Sequence, residues 1–171
     1  MTARGWNAVW LGAVPALILT TGCVVKRVDN GVYHSSKGYR VAVPGEPWTP
    51  VAGSPADLEL RHRDAAAVIA ANASCDAAMS RRNARLLTRH LLIGVRDRRV
   101  VENGEIDVGG RPAARAVVEA RQEDTDAPVR IETIVLTDHR CVYDFMHVAP
   151  PAAFDDTAGD FTRFVDSFRT E

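Results

Sequence analysis

The chain has 171 residues, of which 46% are hydrophobic and 25% are charged. This length and composition are typical of one globular domain built around a single hydrophobic core. The 21 Lys and Arg residues nearly balance the 22 Asp and Glu residues, and the formal net charge at pH 7 is -1. A near-neutral chain has no general electrostatic reason to bind nucleic acid, so we expect no nucleic-acid partner.

The first 22 residues have the layout of an export signal. Arg4 gives a weakly basic start, a mostly apolar run covers residues 6–19, and the small triplet Thr-Thr-Gly follows. The apolar run is shorter than the roughly 20 residues that a helix needs to cross the hydrocarbon core of a bilayer. We therefore expect residues 1–22 to be a signal peptide that is removed from the mature protein.

Cys23 follows this triplet directly, and the stretch LTTGC resembles the lipobox of bacterial lipoproteins. The resemblance implies that the thiol carries acyl chains such as palmitate, that the chain is cut before Cys23, and that the new amino terminus is acylated. Each buried methylene contributes about 0.8 kcal/mol, so several long chains hold a protein stably on a membrane. The expected partner of this segment is therefore the membrane itself.

Two neighbouring residues refine this expectation. Thr20 departs from the lipobox pattern, which prefers Leu at this position, whereas Leu19 stands one place too early. The alternative is an ordinary signal peptide that leaves Cys23 as a free thiol. Val24 is not the Asp typical of inner-membrane retention in enteric bacteria, so the resemblance favours the outer membrane, with the protein facing the periplasm.

Cys75 and Cys141 are the other two cysteines of the chain. Thiols tend to pair in an oxidising compartment outside the cytoplasm, which favours a disulfide between them. Such a bond would stabilise the domain by roughly 2 to 4 kcal/mol. The alternative is two separate buried side chains, because a sequence does not give the distance between their Cα atoms.

The remaining chain is predicted to form a tether and one domain. Residues 23–36 carry charged residues and turn formers without a sustained period, which predicts a lipidated tether. A single globular domain is predicted over residues 37–171. It begins with a strand over residues 39–43, followed by a small hairpin of two strands over residues 58–63 and 67–71.

A helix is predicted after this hairpin. Ser74 is suited to cap its N-terminus and Gly94 to end it, with apolar residues at helical spacing between them. The opposite side carries Arg81, Arg85 and Arg89 at four-residue spacing, a set that we call the arginine ridge. The ridge is suited to contact anionic lipid or an acidic partner, although solvated helix faces commonly have the same pattern.

Alternation of apolar and polar residues returns after residue 98 and predicts four long antiparallel strands. Gly109 and Gly110 are predicted to turn between the first two strands, and Asp138 and His139 between the last two.

In the fourth of these strands, Cys141, Tyr143 and Phe145 share one face and are predicted to point into the core. Asp144 falls on the other face. The closing segment has apolar residues at helical spacing, which predicts a helix docked on the sheet: Phe161, Phe164, Val165 and Phe168.

This order of elements, together with GYRVAVP, Trp48 and the Phe-rich closing helix, resembles the PsbP-like α/β/α sandwich over roughly residues 33–170. The resemblance implies an α+β domain whose antiparallel sheet has four long strands plus a small N-terminal hairpin and is covered by two helices. That family includes photosystem accessory proteins, nuclear-transport adaptors and bacterial lipoproteins. It therefore implies a non-catalytic binding or assembly module and transfers no site residues.

Motifs for chemistry are sparse. The five histidines lack HExxH or CxxC companions, Ser35 and Ser36 lack a nucleophile elbow, and the glycines lack the context of a phosphate loop. We expect no metal and no cofactor. The first functional hypothesis is a lipid-anchored module that binds an envelope protein. The second is an envelope hydrolase or metal-dependent enzyme, for which Asp144, His139 and His147 would have to converge in one pocket.

Overall fold

The computed structural model of the protein describes residues 28–76 and 84–171. The helical elements are α1 (Ala84–Thr88), a 3₁₀ turn (Arg89–Leu92) and α2 (Pro151–Asp166). The strands in chain order are β1 (Val28–Asp29), β2 (Val32–Ser35), β3 (Tyr39–Ala42), β4 (Trp48–Pro50), β5 (Leu58–His62), β6 (Val68–Ser74), β7 (Val95–Asp107), β8 (Pro112–Gln122), β9 (Pro128–Thr137), β10 (Val142–Ala149) and β11 (Arg169–Thr170).

These strands form two antiparallel sheets. The small sheet has the order β1-β2-β3-β11, and the large sheet has the order β4-β5-β6-β10-β9-β8-β7. The four long predicted strands are β7 to β10. The expected sheet of four long strands plus a small hairpin is incomplete. The hairpin is β5 and β6, which join the long strands through the pairing of β6 with β10, and β4 adds a seventh strand. The result is a seven-stranded sheet and a second, four-stranded sheet within an α+β fold.

The main core lies between one face of the large sheet and a layer made by α2 and the small sheet. Tyr143 and Phe145 of β10 are fully buried there, as predicted from their alternation with Asp144. The ring of Tyr39 on β3 packs edge-on against the ring of Tyr143, with centroids 5.8 Å apart. The aromatic residues of β10 therefore join the two sheets.

The other face of the large sheet carries two smaller apolar clusters. Leu87 of α1 packs against Val135 and Val142, and Leu92 of the 3₁₀ turn packs with Val118 and its neighbours on β8 and β9. Helical elements therefore cover both faces of the sheet, although the cover on this side is short within the described residues.

The described part of the predicted tether, residues 28–36, is folded into the small sheet. Its residues 28–29 and 32–35 form β1 and β2, and the side chain of Tyr33 is buried. The prediction was wrong here because two- and four-residue strands leave no sustained alternation, and their order comes from pairing with β3. Cys23 and the signal segment lie outside the described residues.

The predicted helix between Ser74 and Gly94 is only partly present. Ser74 does not cap a helix, because it is the last residue of β6 and lies opposite Val142 of β10. Residues 77–83 lie outside the described part, and α1 covers five residues before the backbone tightens into the 3₁₀ turn. Gly94 has a positive φ of 88°, which lets the chain leave this turn and enter β7.

The closing helix is present, but it ends before Phe168, which was predicted to belong to it. α2 begins at Pro151, a position where proline is favoured because its missing N–H would have no helical partner. Phe161, Phe164 and Val165 are buried, and Phe168 lies just beyond the helix, before β11. Across residues 28–76 and 84–171, no helix combines the length and the apolar character needed to cross a bilayer.

Both predicted hairpin turns are present. Gly109 and Gly110 have positive φ values of 61° and 82° between β7 and β8, where side chains would be disfavoured. In the next hairpin, the Asp138 carboxylate accepts hydrogen bonds from the backbone N–H groups of Arg140 and Cys141, each 2.7 Å long. Burial raises the pKa of Asp138. These two hydrogen bonds and a third from Tyr143 together outweigh burial, so the pKa lies below its ordinary value.

The structure contains a disulfide between Cys75 and Cys141, the first of the two alternatives for this pair. Cys75 follows β6, and Cys141 precedes β10. Because β6 and β10 are hydrogen-bonded neighbours in the sheet, the bond fastens two strands that are 66 residues apart along the chain.

Removing this bond should lower the free energy of unfolding by about 2 to 4 kcal/mol, because the unfolded chain regains the entropy of an open loop. The variant to test is Cys75→Ser with Cys141→Ser, compared with the parent by urea denaturation. Addition of a reductant should lower the midpoint of the parent and leave that of the variant unchanged. A parent that is insensitive to reductant would contradict the presence of the bond.

Candidate functional site: an exposed edge strand and an apolar cleft

The three residues of the enzyme hypothesis do not form one site. His147 lies on the face of β10 that packs against α2, and Asp144 lies on the opposite face of the same strand. His139 lies in the turn before β10 and is exposed. Since the sheet separates Asp144 from His147, these residues share no pocket and supply no common catalytic centre.

His147 is a buried core residue. Its ring stacks between those of Phe154 and Phe161, with centroid distances of 4.7 and 5.5 Å. Its Nε2 atom donates to the Thr157 hydroxyl at 2.8 Å, because that hydroxyl already donates to the Ala153 carbonyl. Burial lowers the pKa of His147 to about 4, more than the nearby carboxylate of Asp160 raises it. The imidazole is therefore neutral near pH 7.

Asp144 lies in a different environment on the other face. It is opposite Asn72 of β6 and Val135 of β9. Burial and the neighbouring Asp57 carboxylate raise the pKa of Asp144 to about 6, although Lys37 and a hydrogen bond with Asn72 lower it. The carboxyl group is thus partly protonated in mildly acidic solution.

The other predicted site residues are only partly described. Arg85 lies in α1 and Arg89 begins the 3₁₀ turn, but their side chains, like the whole of Arg81, fall outside the described part. The arginine ridge therefore stays a prediction, as does acylation of Cys23. Among the described residues, no group of three or more His, Cys, Asp or Glu side chains is placed to hold a metal ion.

The surface that stands out is the free edge of β7. This strand has 13 residues and pairs only with β8, so its other side is unpaired within the described sheet. Its residues 96–105 are all exposed, including Val100 at 57% and Val101 at 36%. An edge strand leaves alternate backbone N–H and C=O groups free, which makes it a template for another strand.

The other described sheet edges are much shorter. β4 has three residues and ends in Pro50, which has no backbone N–H to donate. In the small sheet, the edge strands β1 and β11 have two residues each. β7 is therefore the long free edge of the described part of the chain.

An apolar cleft of about 260 Å³ lies beside this edge. It is formed between α1 and the 3₁₀ turn on one side and β7 and β8 on the other, and its lining is mainly apolar. The residues around it are Thr88, Leu92, Val100, Asn103, Gly104, Ala114, Arg115, Ala116 and Val118. Since Val100 contributes both to the cleft and to the exposed edge, the two features form one continuous surface.

Arg115 fixes the charges behind this surface. Its guanidinium donates to the carboxylate of Glu132 at 2.5 Å and to that of Glu102 at 2.7 Å. The Glu132 side chain is only 8% exposed, whereas that of Glu102 is 52% exposed. Arg115 therefore compensates one buried carboxylate of β9 and tethers one exposed carboxylate of β7.

Charge is unevenly distributed along β7. The first half carries Arg96, Arg98 and Arg99 with the single acid Asp97, and the second half carries acids alone, Glu102, Glu105 and Asp107. Val100 and Val101 lie at the boundary between the two halves. The strand thus has a basic end, an apolar centre and an acidic end.

Sequence reasoning predicted this strand but not its position at an edge. The only sign in the sequence was that charged residues occupy both the odd and the even positions of RDRRVVENGEID. This is unusual for a strand with one buried face.

Replacing Arg115 should reveal how much the fold depends on its pairing with Glu132. Arg115→Met should lower the free energy of unfolding by about 3 kcal/mol, because a buried carboxylate then loses its cation. The matched control is Glu102→Gln, which removes the exposed pair and should cost much less, because solvent screens that pair. Urea denaturation of both variants checks the difference, and equal losses would contradict the ranking.

The two titrating residues of β10 should give opposite pH dependences. His147 is neutral in the folded chain, so its contribution to the free energy of unfolding is lost as the pH falls from about 6.5 to about 4. The contribution of Asp144 to the free energy of unfolding is fully present below about pH 3.8, and it is lost as the pH rises through about 6. Each slope is at most about 1.4 kcal/mol per pH unit.

Urea denaturation between pH 4 and 7 tests this pair of slopes. The stability difference between the parent and His147→Gln should grow as the pH rises, and the difference between the parent and Asp144→Asn should shrink. Two differences of the same sign would show that the protonation states assigned here are incorrect.

No protein-family model matches the chain. No curated protein matches it either. Solved structures do match. Cyanobacterial PsbP (CyanoP) from Synechocystis has a TM-score of 0.55 and 14% identity, with 94% of this chain and 99% of that chain covered.

Two further solved structures share the fold. LpqN of Mycobacterium tuberculosis, described as involved in cell envelope biogenesis, has a TM-score of 0.54 and 13% identity, with 83% of this chain and 93% of that chain covered. A protein from Bacteroides thetaiotaomicron has a TM-score of 0.61 and 8% identity over 82% of this chain, which spans 48% of that protein. At such identities the likeness concerns architecture alone, and this chain has a PsbP-like fold.

Proposed function

We propose that this chain is a lipid-anchored protein of the bacterial envelope whose domain acts as a non-catalytic binding or assembly module. The observation that carries the proposal is the 13-residue free edge of β7, which continues into the apolar cleft. A partner that adds a strand to such an edge gains main-chain hydrogen bonds, while the cleft accepts its side chains. The partner is a protein of the same envelope.

The composition of the β7 surface suits protein binding. Its centre is apolar at Val100 and Val101, and charged side chains lie on both sides. An apolar centre with a charged rim is the usual anatomy of a protein interface, where the centre excludes water and the rim sets orientation.

The anchor would hold this surface close to a membrane. Cys23 is five residues before Val28, where β1 begins. Five residues span at most about 17 Å even when fully extended. A domain acylated at Cys23 would therefore stay beside the bilayer, and partners on the same membrane would meet it at a high local concentration.

Two further features support an envelope location. The disulfide between Cys75 and Cys141 suits an oxidising compartment outside the cytoplasm. LpqN, which shares the fold, is described as involved in cell envelope biogenesis. With Val24 after the cysteine, we place the anchor in the outer membrane and the domain in the periplasm.

Acylation can be tested directly by metabolic labelling with a fatty-acid analogue. The parent should incorporate label, and Cys23→Ala should incorporate none and keep the mass of its uncut precursor. An intact mass that shows an unmodified Cys23 in mature protein would contradict the anchor.

The contact surface can be tested by site-specific photo-crosslinking in cells. A photoreactive residue at Val100 should form a discrete adduct with an envelope protein, because this side chain lies between the edge and the cleft. The matched control is the same residue at Arg63, in the turn after β5, which has a similar exposed fraction of 59%. Ala116→Phe, which fills the cleft, should weaken the Val100 adduct. Equal labelling from both positions, or none from either, would contradict the proposal.

A further inference from the structure

We infer that the partner at the β7 edge is a second copy of this chain, bound antiparallel through β7 of each copy about a two-fold axis. This inference rests on the proposed function, because it names the occupant of the same contact surface. Three observations carry it: the length of the free edge, the exposed valines at its centre, and the order of charges along it.

The order of charges makes the strand complementary to itself. A two-fold axis at the centre of β7 reverses the second strand, so the basic half of each copy faces the acidic half of the other. In the register that places Val100 opposite Val101 of the second copy, Arg99 lies opposite Glu102. These two residues lie on the same face of β7, since their partners on β8 are Glu119 and Val117. A strand with one sign of charge throughout would instead repel its own copy.

Burial of the apolar centre would stabilise this pairing. Val100 and Val101 are exposed in the single chain at 57% and 36%. Next to the axis, the two valines of each copy would cover those of the other and remove their surface from water. β-branched pairs on neighbouring strands also pack favourably.

The irregularities of β7 are compatible with this arrangement. Its register against β8 shifts between Arg96 and Arg99 and again between Val100 and Glu102. Such bulges commonly discourage pairing with unrelated strands. In the symmetric pair, the shift between Val100 and Glu102 lies at the axis, where it keeps Arg99 and Glu102 on one face of the strand.

The ion pairs within one chain present a small barrier. Arg99 contacts Glu119, and Glu102 contacts Arg115, but the Arg99 and Glu102 side chains are 68% and 52% exposed. Solvent screens exposed pairs of this kind and leaves them little net stability, so both residues can turn towards the second copy at low cost.

The geometry also agrees with a shared membrane. A two-fold axis perpendicular to the sheet keeps the same face of each copy on the same side. The two clefts beside Val100 would therefore open in the same direction, and both chains would approach a bilayer from the same side.

The test is native mass spectrometry of the full, detergent-purified protein over a series of concentrations. The parent should populate a dimer whose fraction rises with protein concentration. Arg99→Glu alone and Glu102→Arg alone should each raise the dissociation constant at least about tenfold, or about 1.4 kcal/mol. In each homodimer, the reversed residue then faces a like charge at both contacts.

The decisive sample is an equimolar mixture of Arg99→Glu and Glu102→Arg. In the mixed pair, the two substituted side chains would face each other with opposite charges, and the other contact would keep its original Arg99 and Glu102. Heterodimers should therefore form with a dissociation constant within about threefold of the parent's value. Mixing would not repair a folding defect. Within each chain the reversed side chain still faces a like charge, that of Glu119 next to position 99 or that of Arg115 next to position 102. Arg63→Glu is the control and should leave the dimer unchanged.

A monomeric parent at every concentration would overturn the second copy as partner. Folded variants, checked by circular dichroism, that stay monomeric after mixing would overturn the register. A Val100 adduct with a different envelope protein, together with a monomeric parent, would overturn this inference and leave the proposed function standing.

Discussion

The contact between the aromatic rings of the two sheets is the one on which the rest of the structure depends. Phe168, beyond the end of α2, packs against Tyr39, Tyr143 and Phe145, with ring centroids 5.9, 4.9 and 5.3 Å apart. All four rings are at most 2% exposed. Large rings packed at these distances bury much apolar area and fix orientation. Because Tyr39 reaches this cluster from β3, which pairs with β2, the segment that contains β1 and β2 folds with the domain.

The sequence was informative wherever a pattern repeats within a few residues. The alternation along β10 placed Tyr143 and Phe145 in the core, and the spacing of Phe161 and Phe164 predicted the closing helix. It was misleading where order comes from a distant partner. β1 and β2 are too short to show a period. Ser74 has the side chain of a helix cap, but its pairing with β10 places it in a strand.

The candidate site shows the same limit in a sharper form. The charged residues and valines of β7 can be read from the sequence. Their exposure cannot, because it follows from the position of β7 at the end of the strand order. Asp144 and His147 illustrate the converse, since both lie on one strand and their positions differ by an odd number. Such residues point to opposite faces, which the alternation alone would have shown.

The disulfide has a consequence for how the domain responds to proteolysis of its exposed strand. Cys75 and Cys141 enclose α1 and the strands β7 to β9 in one covalent ring. A single cut anywhere between them opens the ring but releases no fragment, because both pieces stay attached through sulfur. The longest accessible strand of the domain can thus be nicked without being shed, and the damage would become visible only on a reducing gel.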